Sequence, residues 1–262
     1  MKVSRRGAAV YVACSTLCFG KYALEECLQT IRDLHFQKVD LAIHANGPHL
    51  TPQNVAVDPI KISQQLRATN LQFSALHVEI DAVDPHEAKS QLKAIGRLAR
   101  LLMTPLVCVP AAPFGSDFIA EVERLTEWVK IIHSEGVMLT VETHRETITA
   151  DPMGAIELCK RVPELGLTLD PSHYMVGAHK PDNFDQVLKY VEHTRLRDTG
   201  VSEDQFQMRV GQGQLEYGRL IGLLQRGRYR RALTVDIRDQ PESGFPIEPE
   251  VRKLKYLLES LV

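Results

Sequence analysis

The 262-residue sequence lacks the cysteine patterns that would cross-link a fold or hold a structural metal. Its five cysteines include no CxxC pair, and Cys14 and Cys18 have no second pair to complete a zinc site. An odd number of scattered cysteines is typical of reduced thiols in a reducing compartment. We therefore expect a cytoplasmic protein whose stability comes from its hydrophobic core.

Long apolar runs and an excess of one charge are also missing. No run approaches the roughly 18 apolar residues that a membrane-spanning helix needs. The 31 basic and 33 acidic residues leave a net charge of −2, which gives no overall field to attract nucleic acid. We interpret the one basic cluster, Arg226 to Arg231, as a solvated helix end or loop. We therefore expect no membrane and no nucleic acid among the partners.

Short β-rich segments alternate with amphipathic segments along the whole chain. Strands separated by helices must be parallel, and eight such units favour closure into a barrel. An open doubly wound sheet should carry GxGxxG after its first strand, and the sequence has no such motif there. We predict a single parallel (β/α)8 TIM barrel domain over residues 1–262. Its predicted strands are residues 8–13, 38–43, 73–80, 106–109, 137–143, 165–169, 191–196 and 232–237.

The site of a parallel barrel lies where its strands end, and strand alternation selects the side chains that point inward. In LTVETH, Leu139 and Val141 share the helix-facing side, which directs Glu142 into the barrel. The same argument places Asp170 and Asp236 at the mouth. Converging carboxylates repel one another unless a cation or a proton intervenes. The three carboxylates therefore predict either a functional site or a set of ion pairs that holds the mouth together.

The seventh strand offers two ways to balance these carboxylates. His193, Arg195 and Arg197 share its inward face. Imidazole and carboxylate ligands suit manganese, cobalt, zinc or magnesium, whereas Arg195 is a fixed cation that needs no metal. His77 and His173 are further candidates for the site. Two other histidines, His144 and His179, fit a loop surface and a site equally well.

The segment VGQGQLEY contributes two glycines, Gly211 and Gly213, just before a predicted helix. Backbone amides at this spacing could approach an anion at a helix N-terminus, although the pattern alone is a weak signal. If the substrate carries a phosphate, we expect it near this loop or near Arg195 and Arg197.

Five segments of the chain are informative when they are taken in order: VETH at 141–144, GLTLDPSHYMVG at 166–177, HTRLRD at 193–198, GQGQLEY at 211–217 and LTVDIRD at 233–239. Together they resemble the xylose-isomerase-like barrel superfamily, which includes sugar phosphate isomerases and epimerases. The resemblance implies one divalent metal, with Glu142 and Asp170 among its ligands, and contacts of His77 and His173 with substrate.

Two positions depart from the pattern that this resemblance implies. The usual H-x-H-x-x-D has a metal-binding histidine where Arg195 stands, and a guanidinium has no lone pair to donate to a metal. Asp236 stands where a longer glutamate is expected. Either His193 completes a metal site with Glu142, Asp170 and Asp236, or Arg195 replaces the metal.

The resemblance and the residues together predict an isomerase or epimerase of a small sugar, sugar phosphate or hydroxy-carbonyl compound. Glu142 and Asp236 would be the catalytic acid and base, and His77, His173, Arg195 and Arg197 would bind the substrate. The metal or Arg195 would stabilise the oxyanion that forms. An inosose-dehydratase-like lyase and a metal-free barrel that binds a sugar-like ligand without turnover are the alternatives. The chain could also form a homo-oligomer.

Overall fold

Eight parallel strands close into one barrel in chain order, with β1 beside β8. The computed structural model describes residues 10–177, 180–181, 183–240 and 243–262. The predicted parallel (β/α)8 barrel is confirmed. The strands are β1 (Tyr11–Ser15), β2 (Lys38–His44), β3 (Gln72–Glu79), β4 (Leu106–Val109), β5 (Met138–Glu142), β6 (Gly166–Leu169), β7 (Val191–Leu196) and β8 (Ala232–Val235).

Helices surround the barrel, and three of them begin at Asp-Pro pairs that the sequence makes easy to recognise. Asp58 accepts from the backbone N–H of Lys61, three residues on, at 2.9 Å. Asp84 and Asp151 also accept from backbone N–H groups in the first turns of their helices. The helices are α1 (Leu24–Asp33), α2 (Pro52–Val57), α3 (Pro59–Arg67), α4 (Pro85–Leu102), α5 (Phe118–His133), α6 (Pro152–Arg161), α7 (Ser172–Met175), α8 (Tyr217–Arg226) and α9 (Ile247–Glu259). Among the described residues, none of these helices has both the length and the apolar character needed to cross a membrane.

Strand alternation separates the packed shell from the interior of the barrel. Leu139 and Val141 are buried in the main core between strands and helices. Thr140 lies on the opposite face of β5, where its hydroxyl contacts that of Thr168 on β6 at 2.8 Å. Glu142 follows on that inward face at the end of β5, so the fold carries its carboxylate into the barrel mouth.

The connections between strands are less regular than the strands. The segment after β2 contains α2, which begins with a capping box between Thr51 and Asn54. The segment before β7 forms a short 3₁₀ helix, Asp185–Tyr190. Asp182 and the candidate His179 lie outside the described residues.

Candidate active site

Arg195 lies at the centre of the barrel mouth and is fully buried. Its Nη2 donates to Asp236 Oδ1 at 2.8 Å and to Ser15 Oγ at 3.2 Å. Its Nη1 lies 3.6 Å from Glu142 Oε1, and its Nε lies 3.7 Å from Asp40 Oδ2. One guanidinium therefore faces carboxylates from β2, from the end of β5 and from the residue that follows β8.

A second buried arginine, Arg197, bridges two of the predicted carboxylates. Its Nη2 lies 2.8 Å from Asp170 Oδ2 and also donates to Asp236 Oδ2. The other oxygen of Asp170 accepts from the backbone N–H of Ser172 at 3.0 Å and from the Ser172 hydroxyl. Arg238 Nε lies 3.4 Å from Asp236 Oδ2. Both oxygens of Asp236 are therefore held by guanidinium groups.

The arginines keep two of these carboxylates ionised. Burial alone would raise the pKa of Glu142, but His77 and Arg195 hold that pKa well below its usual range. Burial would also raise the pKa of Asp236, and Arg195 with its neighbouring arginines holds it well below its usual range. Burial raises the pKa of Asp170, an effect that Arg197 only partly offsets.

The structure places His77 and His173 at the mouth, each beside one of the predicted carboxylates. His77 Nε2 lies 3.2 Å from Glu142 Oε2, and His77 is 1% exposed. His173 Nε2 lies 3.7 Å from Asp170 Oδ2. Burial lowers the pKa of His173 well below its ordinary value, so its imidazole is neutral.

His193 makes its contacts at a different place. Its Nε2 lies 3.0 Å from Asp40 Oδ2 and 3.3 Å from Thr234 Oγ1. Among the described residues, its polar contacts are thus with Asp40 and Thr234 and not with the three predicted metal carboxylates. Asp40 was missed as a site residue, although its charge in the middle of KVDLAIH is a signal for an inward-facing position.

The loop after β7 covers the mouth through Phe206. The ring of Phe206 lies 4.8 Å from the His173 ring, and the Arg197 guanidinium lies 4.9 Å from the Phe206 ring. Arg145, after β5, stacks on the same ring at 4.7 Å and forms an ion pair with Glu203. Phe206 therefore contacts three residues of the mouth, His173, Arg197 and Arg145.

The glycine loop after β7 binds a carboxylate of the chain itself. Asp198 Oδ2 accepts from the backbone N–H of Gly211 at 2.6 Å and from that of Gly213 at 3.1 Å. A Cβ added at Gly213 would lie 2.2 Å from Asp198 Oδ1, so the close approach requires glycine. The two amides that we expected near a ligand phosphate therefore anchor this loop to the end of β7.

Comparison with known proteins decides the family. Residues 28–259 match the family described as xylose isomerase-like TIM barrel. This chain belongs to the xylose isomerase-like TIM barrel family. No curated protein matches it in sequence.

Solved structures share this family fold at low sequence identity. A D-allulose 3-epimerase from Methylomonas sp. is similar with a TM-score of 0.75 at 11% identity, over 97% of this chain and 99% of the other. A probable 3-DHS dehydratase from Bacillus anthracis gives 0.71 at 14% identity, over 95% and 98%. A xylose isomerase-like TIM barrel protein from Mycobacterium smegmatis, solved in complex with magnesium, gives 0.73 at 16% identity, over the full length of both chains.

A divalent metal at the implied family position does not fit the residues of this chain. Asp170 and Asp236 bind guanidinium groups, and the Glu142 carboxylate is paired with Arg195 and His77. His193, the remaining predicted ligand, is bonded to Asp40. Within the ranges that the structure describes, no three His, Cys, Asp or Glu side chains are arranged to hold a metal. A guanidinium beside these carboxylates supplies the positive charge but no ligand atom.

Proposed function

We propose that this chain transfers a proton at the carbon next to the carbonyl group of a small sugar-like substrate, with Arg195 in the place of a metal. The observation that carries the proposal is a pair of adjacent, buried polar atoms, Glu142 Oε1 and Arg195 Nη1, which lie 3.6 Å apart. Within the described part of the chain, neither atom has a hydrogen-bond partner. Buried polar atoms are nearly always paired, so an acceptor and a donor left side by side favour a ligand that contacts both of them.

The two atoms have the properties that removal of a carbon-bound proton needs. Glu142 is ionised because His77 and Arg195 lower its pKa, so its carboxylate carries no proton of its own when a substrate arrives. Arg195 remains charged, because Asp236, Asp40 and Glu142 raise its pKa although burial lowers it. A fixed cation next to the base can stabilise the enolate oxygen that forms when the proton leaves.

In this proposal Asp236 positions the arginines. Its Oδ1 accepts from Arg195 at 2.8 Å and its Oδ2 accepts from Arg197, so both oxygens are engaged. Glu142 has one oxygen without such a bond. Of the acid–base pair that the sequence predicts, we therefore propose Glu142 as the base and assign Asp236 to holding the cations in place.

The substrate class is supported by the family and by neighbours such as the D-allulose 3-epimerase. His77, His173 and Arg197 line the mouth around the proposed base and are the side chains that we assign to substrate binding. Metal assistance stays a prediction. Because the arginines are paired with the carboxylates, we prefer a reaction that uses no metal.

Solvent exchange tests the proposal directly. The protein is treated with a chelator and incubated in D₂O with D-allulose or its C3 epimer D-fructose, and NMR follows deuterium at the carbon next to the carbonyl. We expect exchange that survives chelation and is lost in Glu142→Gln. Exchange that returns only with added Mn²⁺ or Mg²⁺ would support the metal-assisted form instead. Binding of the sugars without exchange would support the barrel that binds without turnover, and loss of water would favour the lyase.

A further inference from the structure

A cavity of about 450 Å³ lies at the N-terminal end of the barrel, opposite the end that carries the candidate active site. Three of its lining side chains are cations, Lys38, Arg230 and Arg231, and none of the described lining residues is Asp or Glu. The whole chain has a net charge of −2, so this excess of positive charge is local. A cavity lined by one sign of charge attracts ligands of the other sign.

The starts of four neighbouring strands bring these side chains together. Tyr11 begins β1, Lys38 begins β2, and Arg231 directly precedes β8. Gln72 begins β3 and is paired with Lys38. The four strands are parallel neighbours in the barrel, so their first residues meet at one rim. Lys38 Nζ lies 3.9 Å from the centre of the Tyr11 ring, which also lines the cavity.

Two of the three cations have no carboxylate partner within the ranges that the structure describes. Arg231 Nε lies 2.8 Å from Glu192 Oε2, so an ion pair balances its charge. Lys38 and Arg230 form no such pair with any described residue. Lys38 is half-buried and burial lowers its pKa, as expected for an ammonium that loses water without gaining a counter-ion. In the sequence, residues 1–9 contain three basic residues and no acidic one, so they supply no carboxylate either.

The number of unbalanced charges favours a phosphate monoester over a carboxylate. A phosphate monoester carries a charge of about −1.5 to −2 at pH 7, whereas a carboxylate carries a single negative charge. Two cations without partners therefore match the phosphate. Its three acceptor oxygens can also bind the Lys38 ammonium and the planar Arg230 guanidinium at the same time.

The rest of the cavity wall gives the ligand a second property. Its apolar members are Phe73, Leu102, Met103 and Pro105. Met103, which follows α4, is 79% exposed. Inorganic phosphate would leave this wall in contact with water, whereas an apolar group attached to the phosphate would cover it. The volume of the cavity falls within the range of about 300–1,000 Å³ that is typical of small-molecule sites.

We propose that this cavity binds a phosphate monoester with an apolar or aromatic body. Lys38 and Arg230 hold the phosphate, and the body packs on the wall that includes Met103. The inference does not depend on the proposed function, because the cavity and Glu142 are at opposite ends of the barrel. The basic cluster that we interpreted as solvated surface is divided by this site, since Arg230 and Arg231 line the cavity and Arg226 does not.

Isothermal titration calorimetry at low ionic strength tests the proposal with three probes: phenyl phosphate, benzoate and inorganic phosphate. We expect one-to-one binding of phenyl phosphate, at least about tenfold tighter than that of benzoate, which has the same ring and one charge. Inorganic phosphate should bind more weakly than phenyl phosphate, because it leaves the apolar wall uncovered. No saturable binding of phenyl phosphate, or equal affinity for benzoate, would overturn the proposal. Inorganic phosphate that binds as tightly as phenyl phosphate would overturn the role of the apolar wall.

Substitutions in the cavity test which cations hold the phosphate. Lys38→Gln and Arg230→Gln should each weaken the binding of phenyl phosphate by about tenfold or more, because each removes a charge-assisted hydrogen bond. The matched control is Arg226→Gln, which removes an exposed arginine of the same cluster outside the cavity and should leave the affinity nearly unchanged. Arg230 is exposed, so its variant keeps the test valid even if Lys38→Gln folds poorly. Equal weakening in all three variants would mean that general surface charge, and not this cavity, attracts the probe.

Methyl NMR of the six methionines locates the bound probe. The signal of Met103, assigned with Met103→Leu, should shift when phenyl phosphate is added. The signal of Met208 should not, because Met208 follows Phe206 by two residues at the opposite end, where its backbone N–H donates to Asp198 at 2.8 Å. A shift at Met208 without one at Met103 would place the phosphate among the arginines of the candidate active site and overturn the inference.

Discussion

The C-terminal and N-terminal ends of the barrel both carry arginines, in opposite environments. At the C-terminal end, Arg195 and Arg197 are at most 1% exposed and face buried carboxylates. At the N-terminal end, Arg230 is exposed, and Arg231, at 29%, pairs with Glu192, at 38%. The N-terminal end also has a cavity of about 450 Å³ beside Arg230 and Arg231. Buried charge, and not the presence of a cavity, is the feature that marks the C-terminal end as the candidate site.

The physical reason is the cost of removing charges from water. An exposed pair such as Arg231–Glu192 contributes about 0–1 kcal/mol, because solvent screens it. Burying a guanidinium and its carboxylates costs several kcal/mol per ion, which the pairing must offset. Buried charges in a cleft are therefore a reason to suspect function. Equivalent substitutions at the two ends of the barrel should differ sharply in their effects.

The largest expected effect is on folding stability. Arg195→Met leaves Asp236, Glu142 and Asp40 buried without their shared cation, and we expect it to lower the free energy of unfolding by about 3–5 kcal/mol. The matched change at the other end, Arg231→Met, should cost less than about 1 kcal/mol. Urea unfolding followed by circular dichroism measures both. Equal losses of unfolding free energy in the two variants would mean that the buried ion pairs of Arg195 stabilise the fold no more than an exposed pair does.

A second prediction separates the two carboxylates that flank Arg195. Glu142→Gln should lower the rate of solvent exchange by about 10²–10⁴-fold, because it removes the base. It should lower the unfolding free energy less than Asp236→Asn does, since Glu142 Oε1 faces Arg195 at 3.6 Å without a hydrogen bond within the described residues, whereas both oxygens of Asp236 are bonded to guanidinium groups. Asp236→Asn loosens both Arg195 and Arg197, so we expect it to lower the free energy of unfolding by about 3 kcal/mol. Similar stability losses in both variants would contradict the division of roles.

The sequence predicts much of this site because the relevant residues follow a two-residue period. His193, Arg195 and Arg197 could be placed on one face of β7, and the structure has all three in the barrel interior, buried at 1% or less. Asp40 and His44 share the equivalent face of β2. The place of Asp40 and His44 in the site depends on contacts across the barrel, which no local pattern predicts. One such contact joins Asp40 and His193 at 3.0 Å.

The loops were less predictable for the same reason. Phe206 lies in an irregular segment, where no period tells which side chain turns inward. The use of Asp198 to hold the Gly211 and Gly213 amides could not be read from spacing either, because a glycine pair fits a ligand anion and an internal carboxylate equally well. Local sequence predicts which side of a strand a side chain occupies, whereas the tertiary fold decides which residue that side chain contacts.

A third prediction tests whether Arg195 stands in for a metal. Arg195→His restores the H-x-H-x-x-D pattern and replaces a fixed cation with a ligand nitrogen beside Glu142, Asp170 and Asp236. We expect Mn²⁺ affinity to rise by at least about tenfold, since loss of one supporting partner already changes metal affinity by that much. Calorimetric titration compares it with the parent and with Arg231→His. Tight one-to-one binding by the parent, lost in Glu142→Ala and Asp170→Ala, would instead establish the metal-assisted enzyme.

The smallest expected effect compares histidines at the two ends of the barrel. His44 is buried with its pKa lowered to about 2, so between that pH and its ordinary value near 6.5 only the unfolded chain binds a proton at this ring. Its contribution therefore makes stability fall as pH drops below about 6.5, by at most about 1.4 kcal/mol per pH unit. His44→Gln should flatten the slope of unfolding free energy between pH 5 and 6.5. The comparison variant is His133→Gln, which removes an exposed histidine paired with Glu164 at the N-terminal end. Equal slopes in both variants would mean that His44 is solvated in the folded protein and takes up a proton there as freely as in the unfolded chain.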